Sequence, residues 1–137
     1  MKFMIIVKAD ADTEAGVMPP QSLIAEMAAY HEALQEAGVL VDANGLRPSA
    51  QGFRVRYEGD RRTVVDGPFA ETKELVAGYT IIDVASRAQA VAWASRFPNP
   101  HPGKTNEIEV RPFYALEDFE PGEGVDRFRA LDAERAR

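Results

Sequence analysis

The chain has no cysteine among its 137 residues, which excludes disulfides, thiolate metal sites and cysteine nucleophiles together. Histidine is nearly as scarce, with two, His31 and His101. A metal centre needs three or four converging ligands, and two imidazoles in unlike contexts are too few, so neither a metal nor a cofactor is expected. Walker loops, the Rossmann glycine fingerprint and the G-x-S-x-G elbow are all missing, which removes the usual signs of phosphoryl transfer, dinucleotide binding and serine hydrolysis. Long apolar runs are also missing. The start, MKFMIIVKAD, breaks at Lys8, too soon for a secretory signal, and no window approaches the roughly 20 residues of a membrane span. A basic stripe is lacking too: 16 basic residues are scattered among 22 acidic ones, for a net charge of −6. Nucleic acid and anionic membrane are therefore poor partners, and a cytoplasmic protein is expected.

What remains is 45% hydrophobic, enough for one domain with one core. Lys2 to Ala9 is dense in Ile, Val and Phe and reads as a central strand. Asp10 to Met18 reads as an exposed loop, and Pro19-Pro20 as the rigid start of a helix. Leu23, Met27, Tyr30 and Leu34 recur on one helical stripe, with Ser22 as N-cap and Gly38 as the C-terminal stop. Val39 to Val41 is a strand opening into Asp42-Ala43-Asn44-Gly45, where Asn-Gly favours a turn or bulge. Phe53, Val55 and Tyr57 alternate with Arg54 and Arg56, a strand with one wet face, which returns after Glu58-Gly59-Asp60 as Arg61 to Val65. Residues 51 to 66 are thus a hairpin. Ala77 to Val84 is the next strand, Ser86 caps a second helix through Phe97, and Glu107 to Tyr114 is the last strand. Residues 120–137 form a charged tail that packs on a partner or frays.

With the hairpin set aside the order is β-α-β-β-α-β, the split βαβ pattern of an α+β ferredoxin-like fold. Helices on one side leave the other sheet face bare. A second copy is the simplest cover, since sheet-to-sheet burial is worth about 25 cal/mol per Å² before association costs.

Val64 to Thr80, VVDGPFAETKELVAGYT, organises the rest. Asp66 can bond the backbone after it, Pro68 fixes its own φ and extends Gly67, and Phe69 sits on the resulting stiff corner. Phe69, Glu71, Thr72 and Lys73 therefore fall together on constrained backbone. That suits a polar pocket, and it equally suits a structural loop whose Asp caps its own turn.

Val65-Asp66-Gly67-Pro68-Phe69-Ala70-Glu71-Thr72-Lys73-Glu74, followed by Gly78-Tyr79, resembles the signature of the DGPF-domain branch of the YCII-related proteins. The start MKFMIIVKAD, Ala37 to Leu40, Arg96 to Gly103 and Glu107 to Arg111 are similar to that branch in the same order. The likeness covers residues 1 to about 119. It implies a ferredoxin-like unit that pairs into a dimeric α/β barrel. Relatives are encoded beside extracytoplasmic-function sigma factors, which implies a non-catalytic regulatory or interaction module as an alternative to an enzyme. The wider family is associated with a His-Asp pair; aligned at Gly38, that His falls on Met27 and that Asp near Pro98 or Asn99, so the pair does not carry over.

Among the residues themselves, His31 lies on the flank of the helix stripe, and an imidazole there suits acid/base work. Asp66 is the other acid/base candidate. Tyr79, Lys73, Glu71 and Phe69 would form a ligand mouth, His101 is presented by the proline-rich loop, and Arg111 could hold a carboxylate such as Asp66 bidentately. The bland readings are a half-exposed helix histidine, plain loop geometry and a solvated charge run. The expectation is a homodimer holding a small polar or aromatic ligand near the Asp66 loop.

Overall fold

The computed structural model describes residues 1–137. Its strands and helices, in order, are β1 (Lys2–Lys8), α1 (Ala11–Glu14), α2 (Gln21–Glu36), β2 (Leu40–Gly45), β3 (Phe53–Glu58), β4 (Arg61–Asp66), β5 (Val76–Asp83), α3 (Arg87–Ala94), β6 (Ile108–Pro112) and α4 (Glu123–Arg135). Four strands form an antiparallel sheet in the order β2-β5-β1-β6, and β3 and β4 form a separate two-stranded ribbon. The fold is mixed α+β, and no sheet closes into a barrel.

Strand alternation divides β1 cleanly. Phe3 and Ile5 join Ile82 on β5 and Val84 just beyond it, and Tyr30, Leu34 and Ala90 from the helices, in one buried core. The Tyr30 hydroxyl donates to the Trp93 carbonyl at 2.7 Å and so ties α2 to α3. Burial pushes that phenol up to about 12, with the Arg96 charge pulling the other way. Met4 and Ile6 point to the opposite face, where they pair with Ile81 and Tyr79 on one side and Arg111 and Glu109 on the other. Both helices therefore cover one face only.

The local stops follow the sequence. Gly38 takes φ 75° after α2, and the Val39 N–H reaches back to the Leu34 carbonyl at 3.0 Å, a Schellman closure. Ser86 caps α3 by accepting from the Gln89 N–H. Four expectations change. Pro20, not Ser22, precedes the first turn of α2. The stretch after Asp10 holds α1, because Asp10 and Thr13 form a reciprocal capping box. The strand after Val39 runs through Asn44-Gly45 instead of turning there, since Asn44 and Gly45 pair with Tyr79 and Gly78. At Gly78 a Cβ would lie 3.2 Å from the Asn44 carbonyl oxygen, so the missing side chain keeps the strands close. Finally, α3 ends at Ala94 and the chain then turns, well before the prolines.

The hairpin and the tail stand apart from the core. Every residue of the ribbon but Val65 is exposed, including Phe53 at 65% and Val64 at 64%. Expecting one dry face was therefore wrong within a single chain, where only the Arg62 guanidinium lies over the Tyr57 ring on the Phe53-Val55-Tyr57 side. The charged tail forms the helix α4, yet α4 buries none of its residues.

Candidate functional site

The loop after β4 is held from below. The Gly67 N–H donates to the Gly52 carbonyl at 3.0 Å, closing the base of the ribbon. Ser49, in a single 3-10 turn before β3, accepts from the Phe69 N–H at 3.0 Å and donates its hydroxyl to Glu14 Oε2 at 2.5 Å. The Ser49 N–H donates to the other Glu14 oxygen at 3.0 Å. A carboxylate on α1 thus fixes Ser49, and Ser49 fixes the corner at Phe69. Beyond that corner Glu71 sits at φ 60°, a left-handed conformation that a side chain makes unfavourable.

Between ribbon and loop lies a cavity of about 420 Å³, lined by Arg54, Arg56, Val65, Asp66, Pro68 and Phe69 among others. The Arg54 guanidinium carbon sits 3.8 Å from the centroid of the Phe69 ring, a cation–π stack. Asp66 also lines the cavity, opposite Phe53 across the ribbon; its carboxylate accepts no hydrogen bond from its own turn and forms no ion pair, so it is free. Arg54 and Arg56 were absent from the expected site. Their i, i+2 spacing beside the loop was the signal available, and it reads first as an ordinary wet strand face.

The two histidines are both engaged by their own fold. His31 Nδ1 lies 2.7 Å from the Met27 carbonyl, which can only accept, so Nδ1 carries the hydrogen. Nε2, 2.8 Å from Thr80 Oγ1, then accepts from that hydroxyl. His31 therefore clamps α2 onto β5, with no ring nitrogen spare. His101 is buried, with Nε2 at 2.8 Å from the Lys8 carbonyl and Nδ1 at 3.1 Å from Asp10 Oδ2. Lys104 reaches the same Asp10 oxygen at 2.8 Å and Asp12 at 2.9 Å. The Lys104 hydrogen bond is the largest cause holding the Asp10 carboxyl down at about 2; burial opposes it, and the Thr13 N–H and the His101 and Lys104 charges add to it. Asp10 and Asp12 in turn raise Lys104. This cluster locks the proline-rich loop to the end of β1.

Tyr79 and Arg111 lie on the open sheet face. The Tyr79 hydroxyl donates to Asp42 Oδ2 at 3.0 Å and accepts from Asn44 at 3.1 Å. Arg111 is 3.8 Å from Glu109, and no ion pair joins it to Asp66. Glu71 and Lys73 are exposed on the loop. The expected residues thus divide among separate places. Asp66, Phe69, Glu71 and Lys73 share the loop, His31 and His101 serve the scaffold, and Tyr79 and Arg111 share the bare sheet face. No group of three or more His, Cys, Asp or Glu side chains converges in a way that could hold a metal ion. No helix is long and apolar enough to cross a membrane.

An antiparallel α+β domain with a stapled loop, a protruding ribbon and a cavity between them is the class of protein so defined. The YCII-related domain profile matches residues 1–114, and the chain belongs to the YCII-related family. It is also similar to the uncharacterized protein R00369 of Rhizobium meliloti (strain 1021), with 35% identity over 103 residues, covering 75% of this chain and 80% of that relative.

Proposed function

We propose that this is a cytoplasmic, homodimeric protein of the DGPF branch that binds a small polar or aromatic molecule in the cavity between ribbon and loop. The observation that carries this reading is the Arg54 guanidinium stacked on Phe69 in a cavity whose lining also includes Asp66, a carboxylate that its own turn does not consume. An aromatic ring with a cation stacked on it in a partly apolar cleft suits a flat polar ligand. If the ligand is turned over, Asp66 is the acid/base group, because both ring nitrogens of His31 are already bonded. The strand order β2-β5-β1-β6 supports a ferredoxin-like unit with the ribbon inserted. The bare face at Met4, Tyr79 and Ile81 is where a second copy would lie, the two sheets forming a barrel between them.

A thermal-shift screen against polar and aromatic metabolites tests the site, with Phe69→Ala and Asp66→Asn alongside. A ligand at tenfold over its Kd adds about 1.4 kcal/mol to stability. The expected hit stabilises the wild type and neither variant. A hit that stabilises all three equally, or no hit at all, removes the reading.

A second reading, a non-catalytic interaction module, is favoured by the tail. Val125, Phe128 and Leu131 recur along α4, and Phe128 is 61% exposed. An unpartnered stripe of this kind suits docking on another protein. Truncation before residue 120 should then leave ligand binding intact and abolish co-purification with a partner.

A further inference from the structure

We propose that the ligand of the ribbon–loop cavity is a small organic carboxylate with a flat apolar body, an inference that rests on the cavity being the binding site. Arg54 and Arg56 project from the same face of β3, opposite Val65 and Thr63, so neither has an acidic cross-strand partner. Neither forms a hydrogen bond or an ion pair, although the chain carries 22 carboxylates and a net charge of −6. The next acidic residue along that face, Glu58, lies opposite Arg61. Two like charges side by side without a counter-ion repel each other, and an anion between them relieves that repulsion.

The placement of Arg54 sharpens the class. Stacking on Phe69 at 3.8 Å holds the guanidinium in place while leaving all of its in-plane N–H donors free. A pre-placed fork of this kind matches the two oxygens of a carboxylate, with Arg56 as second donor. The rest of the lining is Val55, Val65, Pro68 and Ala70, which suit a hydrocarbon, together with Asp66, which lies opposite Phe53 on the ribbon face away from Arg54. A cavity of about 420 Å³ is also far larger than a bare inorganic anion fills.

Calorimetric titration with benzoate, its neutral isostere benzamide, and inorganic phosphate separates the possibilities, on wild type, Arg56→Gln, Arg54→Lys and Phe69→Ala. Benzoate is expected to bind, with affinity lowered about tenfold or more in Arg56→Gln and Phe69→Ala, and to outbind benzamide and phosphate by a similar factor. Arg54→Lys keeps the charge but not the fork, and is expected to weaken benzoate as well. If benzamide binds as tightly as benzoate and only Phe69→Ala weakens it, the cavity reading stands and the carboxylate class falls. The class also falls, alone, if these probes fail while the metabolite screen finds a neutral ligand lost in Phe69→Ala. If neither probes nor screen give binding, both fall together. Sedimentation of Arg56→Gln covers the remaining case: a shift toward monomer would mean that the arginines meet carboxylates of a second copy, which overturns the proposal.

Discussion

Gly67 approaches Ser49 so closely that a Cβ at residue 67 would lie 1.8 Å from the Ser49 carbonyl oxygen and 2.7 Å from its carbonyl carbon. Gly67 does not have a positive φ, so its conformation is open to any residue and the constraint is one of space. The glycine of the Asp-Gly-Pro-Phe run is there because two backbones touch. Gly67→Ala must therefore move either the loop or the 3-10 turn, and both are backbone. A loss of at least about 2 kcal/mol is expected, read as a lower urea midpoint at unchanged slope, with the Arg54–Phe69 stack lost too. An alanine variant as stable as the wild type would show that the two segments are free to separate.

Glu14, Ser49 and the Phe69 N–H form a chain that runs from α1 to the loop. Ser49→Ala and Glu14→Gln should each cost about 1–2 kcal/mol, because a charge-assisted bond is lost in one case and weakened in the other. The double variant should cost clearly less than the sum, since both changes break the same links. Strict additivity in urea denaturation would mean that Glu14 and Ser49 act independently.

Acid stability should depend on Asp10. Its carboxyl is held at about 2, against 3.8 for the free group, chiefly by Lys104. A depressed carboxyl contributes stability above its unfolded value and loses it as pH falls through the folded one, so the window runs from about pH 4 down to pH 2. Asp10→Asn should cost about 1 kcal/mol at neutral pH, once solvent screening at this partly exposed site is allowed for. The two proteins should converge below pH 2. A constant difference across that range would point to the capping role of Asp10 alone.

Glu71 is the one residue other than glycine with a positive φ, at 60°. Glu71→Gly should raise stability by up to about 1 kcal/mol, partly offset by the added freedom of the unfolded chain. A loss on thermal denaturation would mean that the Glu71 side chain holds the loop by contacts worth more than the strain.

Much of the scaffold was legible because its signals are local. The Leu23-Met27-Tyr30-Leu34 stripe, the stop at Gly38, the cap at Ser86 and the alternation from Phe53 to Tyr57 each need only a few neighbouring residues to be read. What escaped was set by distant partners. Asn44-Gly45 has the chemistry of a turn, and it is a strand because β5 supplies Tyr79 and Gly78 across from it. The pairing of Arg111 was decided by Glu109 on its own strand, and the freedom of Asp66 by Ser49 taking over the support of the loop. The loop was recognisable as a place for a site, while Arg54 and Arg56 looked like a wet strand face, because periodicity does not reveal that a cation lacks a counter-ion.

His31 is the residue on which sequence and structure pull hardest in different directions, and Thr80 decides between them. Thr80 is 2% exposed and its hydroxyl donates to His31 Nε2, while Met27 takes the hydrogen on Nδ1. If His31 is a clamp, Thr80→Val removes a donor without changing shape and should cost about 1–2 kcal/mol in equilibrium unfolding, whereas Thr80→Ser should restore most of it. Ring nitrogen shifts from NMR should report the Nδ1–H tautomer in both the wild type and Thr80→Val, because the Met27 carbonyl keeps the hydrogen on Nδ1, while the Nε2 shift moves in Thr80→Val as that nitrogen loses its donor. Ligand binding in the ribbon–loop cavity should be unchanged in both variants. If Thr80→Val instead leaves stability intact and abolishes binding, the imidazole is part of the site, and its place on α2 above the sheet becomes the centre of any chemistry this protein performs.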